Sequence, residues 1–130
     1  MKSIETLSEI RDSAAVDNIR RLTAGFVAQV KPLKVVLFGS FADGTYTDES
    51  DYDFYLVVDD GRSVSDATDA AYSSATYVKN RPIDVVVGTN SRFEARGRSN
   101  CSFSVESEAH RNGVLLYDRM EESALRSDFI

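Results

Sequence analysis

The sequence predicts an α/β fold, with one small mixed β-sheet packed by helices. Two observations lead to this class. Three short runs rich in Val, Ile and Leu, at Lys34–Phe38, Tyr52–Val58 and Ile83–Val87, have the length of strands. Around them lie segments whose apolar residues recur at helical spacing.

The first of these segments carries Ile19, Leu22, Phe26, Val27 and Val30, and Pro32 supplies its stop. Upstream, Ile4, Leu7 and Ile10 fit either an extra turn or a separate short helix. Lys34–Phe38 is the first strand. Gly39–Ser50 is rich in turn formers, with room for one helical turn around Phe41 and Ala42. In the second strand Tyr52, Phe54, Leu56 and Val58 share the core face, which leaves Asp51 and Asp53 on the other.

Asp59, Asp60 and Gly61 make a turn. Ser63 or Ser65 caps the next helix, with Asp66 in its first turn. Val64, Ala67, Ala71, Ala75 and Val78 give that helix a stripe of mainly small residues, suited to close packing on a sheet. Pro82 precedes the third strand. Residues 88–101 are polar, carry Arg92, Arg96 and Arg98, and read as a mobile loop whose arginines either face solvent or bind phosphate or an acceptor. A last helix over Ser104–Asn112 ends at Gly113, the position of a C-terminal cap. Val114–Tyr117 is a short fourth strand, and residues 119–130 form a peripheral tail.

A length of 130 residues suits one domain over 1–130, with its core at about 14–118, against a norm of roughly 100–200 residues per domain. No apolar run approaches the ~18 residues of a membrane span, and the opening MKSIETLSEIRD lacks the apolar segment of a secretory signal. One cysteine, Cys101, allows no internal disulfide and fits a reducing, cytoplasmic compartment. A formal charge of −6 argues against broad binding to a nucleic-acid backbone, which needs a basic surface. A nucleotide is still compatible with it, since metal ions can carry the phosphates.

The chemistry concentrates between Val36 and Val58. Gly39 and Ser40 end one apolar run, residues 41–50 follow, and Asp51 and Asp53 open the next. Two carboxylates on one strand face repel unless a cation lies between them. Asp84 interrupts the third apolar run. Glycine can take unusual dihedrals, and small turn residues expose amides to an anion. Nucleotidyl transfer puts negative charge on entering and leaving oxygens, and two metal ions ~3.5–4 Å apart stabilise both. Magnesium prefers carboxylates together with substrate phosphates. Singly, each feature is ordinary: a strand-ending turn, a solvated hairpin face, a lone strand acid paired with an arginine. Together they suggest metal-dependent nucleotidyl transfer.

Other residues point nowhere as strongly. The stretch DESDYDF lacks the glycine of an EF-hand loop. His110 has no Cys or His partner for zinc and reads as a surface residue of the last helix. Cys101 has no visible support as a catalytic thiol. The tyrosines read as core edges or partner surface.

The order Gly-Ser, ten residues, Asp-x-Asp and a later Asp resembles the DNA polymerase beta nucleotidyltransferase superfamily. Within it the chain is similar to the minimal nucleotidyltransferase (MNT) branch, short prokaryotic proteins often paired with a HEPN-domain partner. The resemblance runs from about the first helix to Tyr117 and implies a polymerase beta-like fold. It implies that Asp51 and Asp53 hold the metal bound to the triphosphate. Asp84 would complete a second, catalytic metal site and help activate the acceptor hydroxyl, while Gly39 and Ser40 approach the triphosphate. The implied cofactor is Mg2+, two ions, and the implied substrate is a nucleoside triphosphate, ATP, whose AMP passes to a hydroxyl. For this branch the acceptor would be a tyrosine of a HEPN toxin, with this chain as antitoxin.

One departure matters. Minimal members often carry arginines after the Gly-Ser, as in Gly-Ser-Arg-Ala-Arg-Gly, where this chain has Gly39, Ser40, Phe41, Ala42, Asp43 and Gly44. A catalytically weak antitoxin that neutralises its partner by complex formation is therefore the competing expectation. A third, nucleotidylation of a small molecule, usually comes with an added helical domain that is absent here.

Overall fold

The computed structural model describes residues 1–75, 78, 81–99 and 104–121. A 3-10 helix over Ile4–Glu9 stands apart from the first long helix, α1 (Ser13–Gln29). The Asp12 carboxylate accepts from the Ala15 amide and caps α1. Ala15, Ile19, Leu22 and Phe26 are its buried face. Of the stripe that the spacing predicts, Ile19, Leu22, Phe26 and the C-cap Val30 are buried and Val27 is half-buried. The helix stops ahead of Pro32 through Lys31, which takes the left-handed φ of 54° that glycine more often occupies.

Four strands, β1 (Lys34–Phe38), β2 (Tyr52–Val58), β3 (Ile83–Thr89) and β4 (Val114–Asp118), form one sheet in the order β3-β2-β1-β4. β1 is antiparallel to β2 and β4, whereas β2 and β3 are parallel, so the sheet is mixed. A parallel pair needs a crossover connection, and α3 (Val64–Ser74), capped by Ser63, provides it. The amide of Val85 on the outer side of β3 donates to the Tyr72 hydroxyl at 3.0 Å. At the opposite edge the backbone of Lys2 bonds Gly113 and Leu115 beside β4. Both edges are thus partly occupied, which limits unwanted strand pairing.

Helices cover both faces. On one, α1, α3 and the 3-10 helix pack over Val35, Leu37, Tyr52, Phe54, Leu56, Val58, Val85 and Val87. Phe26 meets Phe54 edge to face, with ring centroids 5.1 Å apart. Ala67, Ala71 and Ala75 are buried as the small-residue stripe predicts, while Val78 is half-buried and Val64 exposed. On the other face, α4 (Asn90–Gly97) and α5 (Val105–Asn112) place Phe93 and Ala109 over Val36, Phe38, Tyr55 and Val57. A strand buried on both sides reads as a continuous apolar run. For that reason Tyr52 and Tyr55 lie fully inside, not at the core edge.

Within residues 88–99, the described part of the expected loop, the chain is mostly strand and helix. β3 continues to Thr89, whose hydroxyl accepts from the Arg92 amide and caps α4. The helix was hidden because Phe93 is its only large apolar contact. That ring lies 5.1 Å from Tyr55 and 5.5 Å from His110, which is consequently half-buried against it instead of facing solvent. Cys101 and residues 122–130 of the tail lie outside the described residues.

Gly113 does end α5, but with φ −72° and not as a left-handed cap. Space is what requires glycine here. A Cβ would stand 2.3 Å from the Ala109 carbonyl oxygen and 2.5 Å from Val36 Cγ1. Gly113→Ala should therefore cost about 1–3 kcal/mol through overpacking, seen as a lower midpoint in urea or thermal unfolding. Gly61→Ala, with nothing within 4 Å of its Cβ position, should leave that midpoint nearly unchanged.

Candidate active site

The five residues singled out in the sequence fall at one end of the sheet. Asp53 is the register partner of Phe38 across the antiparallel pair and of Asp84 across the parallel pair. Register partners present their side chains to the same face, so these two carboxylates are neighbours. Gly39 follows Phe38 directly and lies against Asp53: a Cβ on it would sit 2.3 Å from Asp53 Oδ2. Its φ of 75° and ψ of −153° belong to a region that is essentially glycine's alone. The Gly39 carbonyl then accepts from the amides of Ala42 and Asp43 at 3.0 and 3.1 Å, which starts the single turn of α2 (Ser40–Asp43). Ser40 is half-buried beside it.

Asp51 precedes β2 and is exposed, as is Asp84, while Asp53 is half-buried. Burial raises the Asp53 carboxyl to about 6, with Asp84 and then Asp51 adding their repulsion. Tyr72 reaches from α3 around the edge of β3, with its hydroxyl 3.5 Å from Asp84 Oδ1. Among the described residues, no three acidic, histidine or cysteine side chains converge into a closed metal cage. The donor set nevertheless fits magnesium, which takes one or two carboxylates and leaves its other positions to phosphates and water. Like charges held this close are relieved by a cation.

Positions 41 and 43, where the family resemblance leads one to expect arginine, are occupied by side chains with other contacts. Phe41 is 3% exposed, stacked on Tyr46 with centroids 4.6 Å apart and packed near Tyr52 at 5.1 Å. Asp43 accepts from the Thr45 amide at 3.0 Å and from its hydroxyl. The cation at this place is Arg81, just before Pro82 and outside every motif, which lies over the Phe41 ring at 5.0 Å.

Arg92 and Arg96 do not form a phosphate loop. Arg92 Nε and Arg96 Nη1 lie 3.6 and 3.8 Å from Glu106, a carboxylate only 2% exposed. Tyr55 donates to Glu106 Oε2 at 2.8 Å. Burial first, and then this bond, push the Tyr55 hydroxyl well above its ordinary range and keep it a neutral donor. Arg98 pairs with Glu94 at the surface, 3.2 Å away. Sequence reasoning missed Glu106, because nothing in its neighbourhood distinguishes it from the exposed Glu108 two residues on.

A sequence model described as a nucleotidyltransferase domain matches residues 19–115, a span that includes every residue of this site. Among solved structures, a candidate nucleotidyltransferase from Sulfolobus solfataricus is 24% identical with a TM-score of 0.54. The match covers 86% of this chain and 93% of that one. A toxin-antitoxin structure with AMP-PNP is 18% identical with a TM-score of 0.53, covering 82% of this chain and 78% of that one. At these identities the likeness is one of fold, and it agrees with the mixed sheet and its helices. A search of curated proteins finds no significant match.

Asp53 makes stability depend on pH in a defined direction. Its folded value of about 6 lies above the ordinary 3.8, so the native state holds that proton more tightly than the unfolded chain. The associated stability is present below about pH 4 and lost as pH rises through about 6. Asp53→Asn should flatten this decline and leave the metal-free protein at least as stable as wild type at pH 7. Thermal unfolding in chelator across that range checks both. A less stable variant with an unchanged pH slope would contradict the crowding of charge at this site.

Proposed function

Because the chain belongs to the nucleotidyltransferase domain family, we propose that it is a magnesium-dependent nucleotidyltransferase that moves AMP from ATP to a hydroxyl of a partner protein. We further propose that it does so as the antitoxin of a HEPN/MNT-type pair. The observation that carries the reading is the placement of Asp53 beside Asp84, with the bare backbone of Gly39 against the same carboxylate.

Asp51 and Asp53 would hold the ion that accompanies the triphosphate, and Asp84, with Asp53, a second one. Bound there, magnesium supplies charge neutralisation on the phosphates and eases ionisation of the acceptor. Gly39 leaves its backbone open to the triphosphate, and the Ser40 hydroxyl donates to a phosphate oxygen. Asp84, exposed and at the sheet edge, takes the proton of the acceptor hydroxyl. That oxygen bonds the α-phosphorus, the bond from the α-phosphorus to the bridging oxygen breaks, and pyrophosphate leaves. The exposure of Asp51 and Asp84 suits an acceptor as large as a protein. The toxin-antitoxin neighbour with AMP-PNP supports both the partner and the nucleotide.

A second reading, a binding module with weak or no catalysis, draws on two observations. Neither Phe41 nor Asp43 offers a cation to the phosphates. A groove of about 960 Å³, lined by Ile4, Leu7, Ile19, Val27 and Leu116 among others, lies between the 3-10 helix, α1 and β4. It is apolar enough to seat a partner without any chemistry.

Incubation with magnesium, each labelled nucleoside triphosphate and the product of the adjacent gene separates the two. Intact mass should show the partner gaining nucleotidyl units from ATP, and Asp53→Asn should reduce the rate by at least about 100-fold. A tight complex in which neither protein gains mass would establish the binding module instead.

A further inference from the structure

Arg81 has no part in the chemistry above, yet it touches every segment that carries a candidate site residue. We propose that Arg81 is a positioning residue that fixes Asp51 and Asp84 relative to Gly39 and Ser40, so that the ion-binding carboxylates are held in place before the metal arrives. This inference rests on the nucleotidyl-transfer reading of those residues.

The side chain is 11% exposed. Its Nη1 donates to three backbone carbonyls, those of Thr47 at 2.9 Å, Asp48 at 3.2 Å and Ser50 at 3.1 Å. These residues immediately precede Asp51. Its Nη2 lies 3.6 Å from Asp12, the N-cap of α1. The guanidinium face lies 5.0 Å from the Phe41 ring and 5.8 Å from that of Tyr52. Phe41 follows Ser40, and Tyr52 stands between Asp51 and Asp53. Along the chain only Pro82 and Ile83 separate Arg81 from Asp84, and the Pro82 carbonyl accepts from the Tyr52 amide at 3.0 Å.

Residues 45–51 have no helix or strand of their own. The start of this segment is anchored by Tyr46, whose hydroxyl accepts from the Arg11 amide at 3.0 Å and whose ring stacks on Phe41. From Thr47 to Asp51 the bonds apart from those of Arg81 are short-range turns, such as the Thr47 amide on Ser50 Oγ and the Ser50 amide on the Thr47 carbonyl. Three carbonyls gathered on one planar cation supply the long-range tie. Only arginine combines a fork of donors with a flat face that stacks on aromatic rings; lysine is a point charge on a flexible stem. The aromatic at position 41, a departure from the Gly-Ser-Arg pattern, gives Arg81 the surface on which it lies. Without the clamp, the carboxylate of Asp51 samples more positions, and that freedom must be lost again when an ion binds.

The test is a magnesium titration of ATP binding and transfer in wild type, Arg81→Gln and Arg81→Lys, with thermal unfolding measured alongside. Loss of an outer-shell support typically costs 10–100-fold in metal affinity. The magnesium midpoint should therefore rise at least about tenfold in Arg81→Gln and less in Arg81→Lys, with kcat recovering in part at saturating magnesium. A merely structural role would lower the unfolding midpoint and the active fraction but leave the magnesium midpoint in place, and that result overturns the proposal. If Arg81→Gln does not fold, Arg81→Lys decides, since it keeps the charge facing Asp12 but neither the fork nor the stack. A wild type that binds no nucleotide with magnesium removes the catalytic reading and this inference together. A wild type that responds, beside variants with unshifted midpoints, removes this inference alone.

Discussion

The parallel pairing of β2 with β3 is the constraint from which the site follows. Parallel strands cannot be joined by a hairpin, so the chain must leave β2, run through α3 and return. That crossover brings the start of β3 level with the start of β2 and sets Asp84 beside Asp53. The antiparallel neighbour β1 ends where both begin, which delivers Gly39 to the same place. Strands of one direction alone would have put the glycine turn and the acid pair at opposite ends of the sheet.

The rest of the molecule tolerates the cost of that arrangement. Three acids near one another, one of them half-buried, favour protonation or a counter-ion over the empty charged state. The surrounding structure holds them there because it is fixed by other means. Two helical layers enclose the sheet, the aromatic group of Phe41, Tyr46 and Tyr52 packs beneath the loop that leads to Asp51, and glycine occupies the position where a side chain would strike Asp53. Stability is supplied by apolar burial away from the carboxylates, and the repulsion is left where an ion and a triphosphate can use it.

Features governed by short-range periodicity were legible in the sequence. The two-residue period of a strand puts Asp51 and Asp53 opposite Tyr52 and Phe54, and the spacing of Ile19, Leu22 and Phe26 defines α1. The limits of β1 and β2 agree with their apolar runs to the residue. Features governed by distant partners were not legible. Arg81 draws its acceptors from residues 31 to 34 positions earlier, and Glu106 meets a hydroxyl 51 positions away. Helix α4 was missed for a related reason, since one phenylalanine that docks on a distant tyrosine leaves no periodic trace. The Thr89 cap was the local sign that could have found it. The departure at position 41 was visible, but only the packing shows that the ring is part of the core.

The two faces of the sheet are not held equally. The layer of α4 and α5 rests on a cluster of six buried side chains, Val36, Phe38, Tyr55, Val57, Phe93 and Ala109, and it must also accommodate the charge of Glu106. The opposite layer has a more extended apolar core, with the Arg81 guanidinium at its margin over Phe41 and Tyr52. A layer held by fewer buried side chains costs less to open locally, so the amides of α4 and α5 are expected to exchange with solvent before those of α1 and α3. Such an opening uncovers Tyr55, two residues from Asp53 on the same strand face, without disturbing α1, α3 or the strand register. The acid site thus lies at the border between the more and the less extensively packed faces of the sheet.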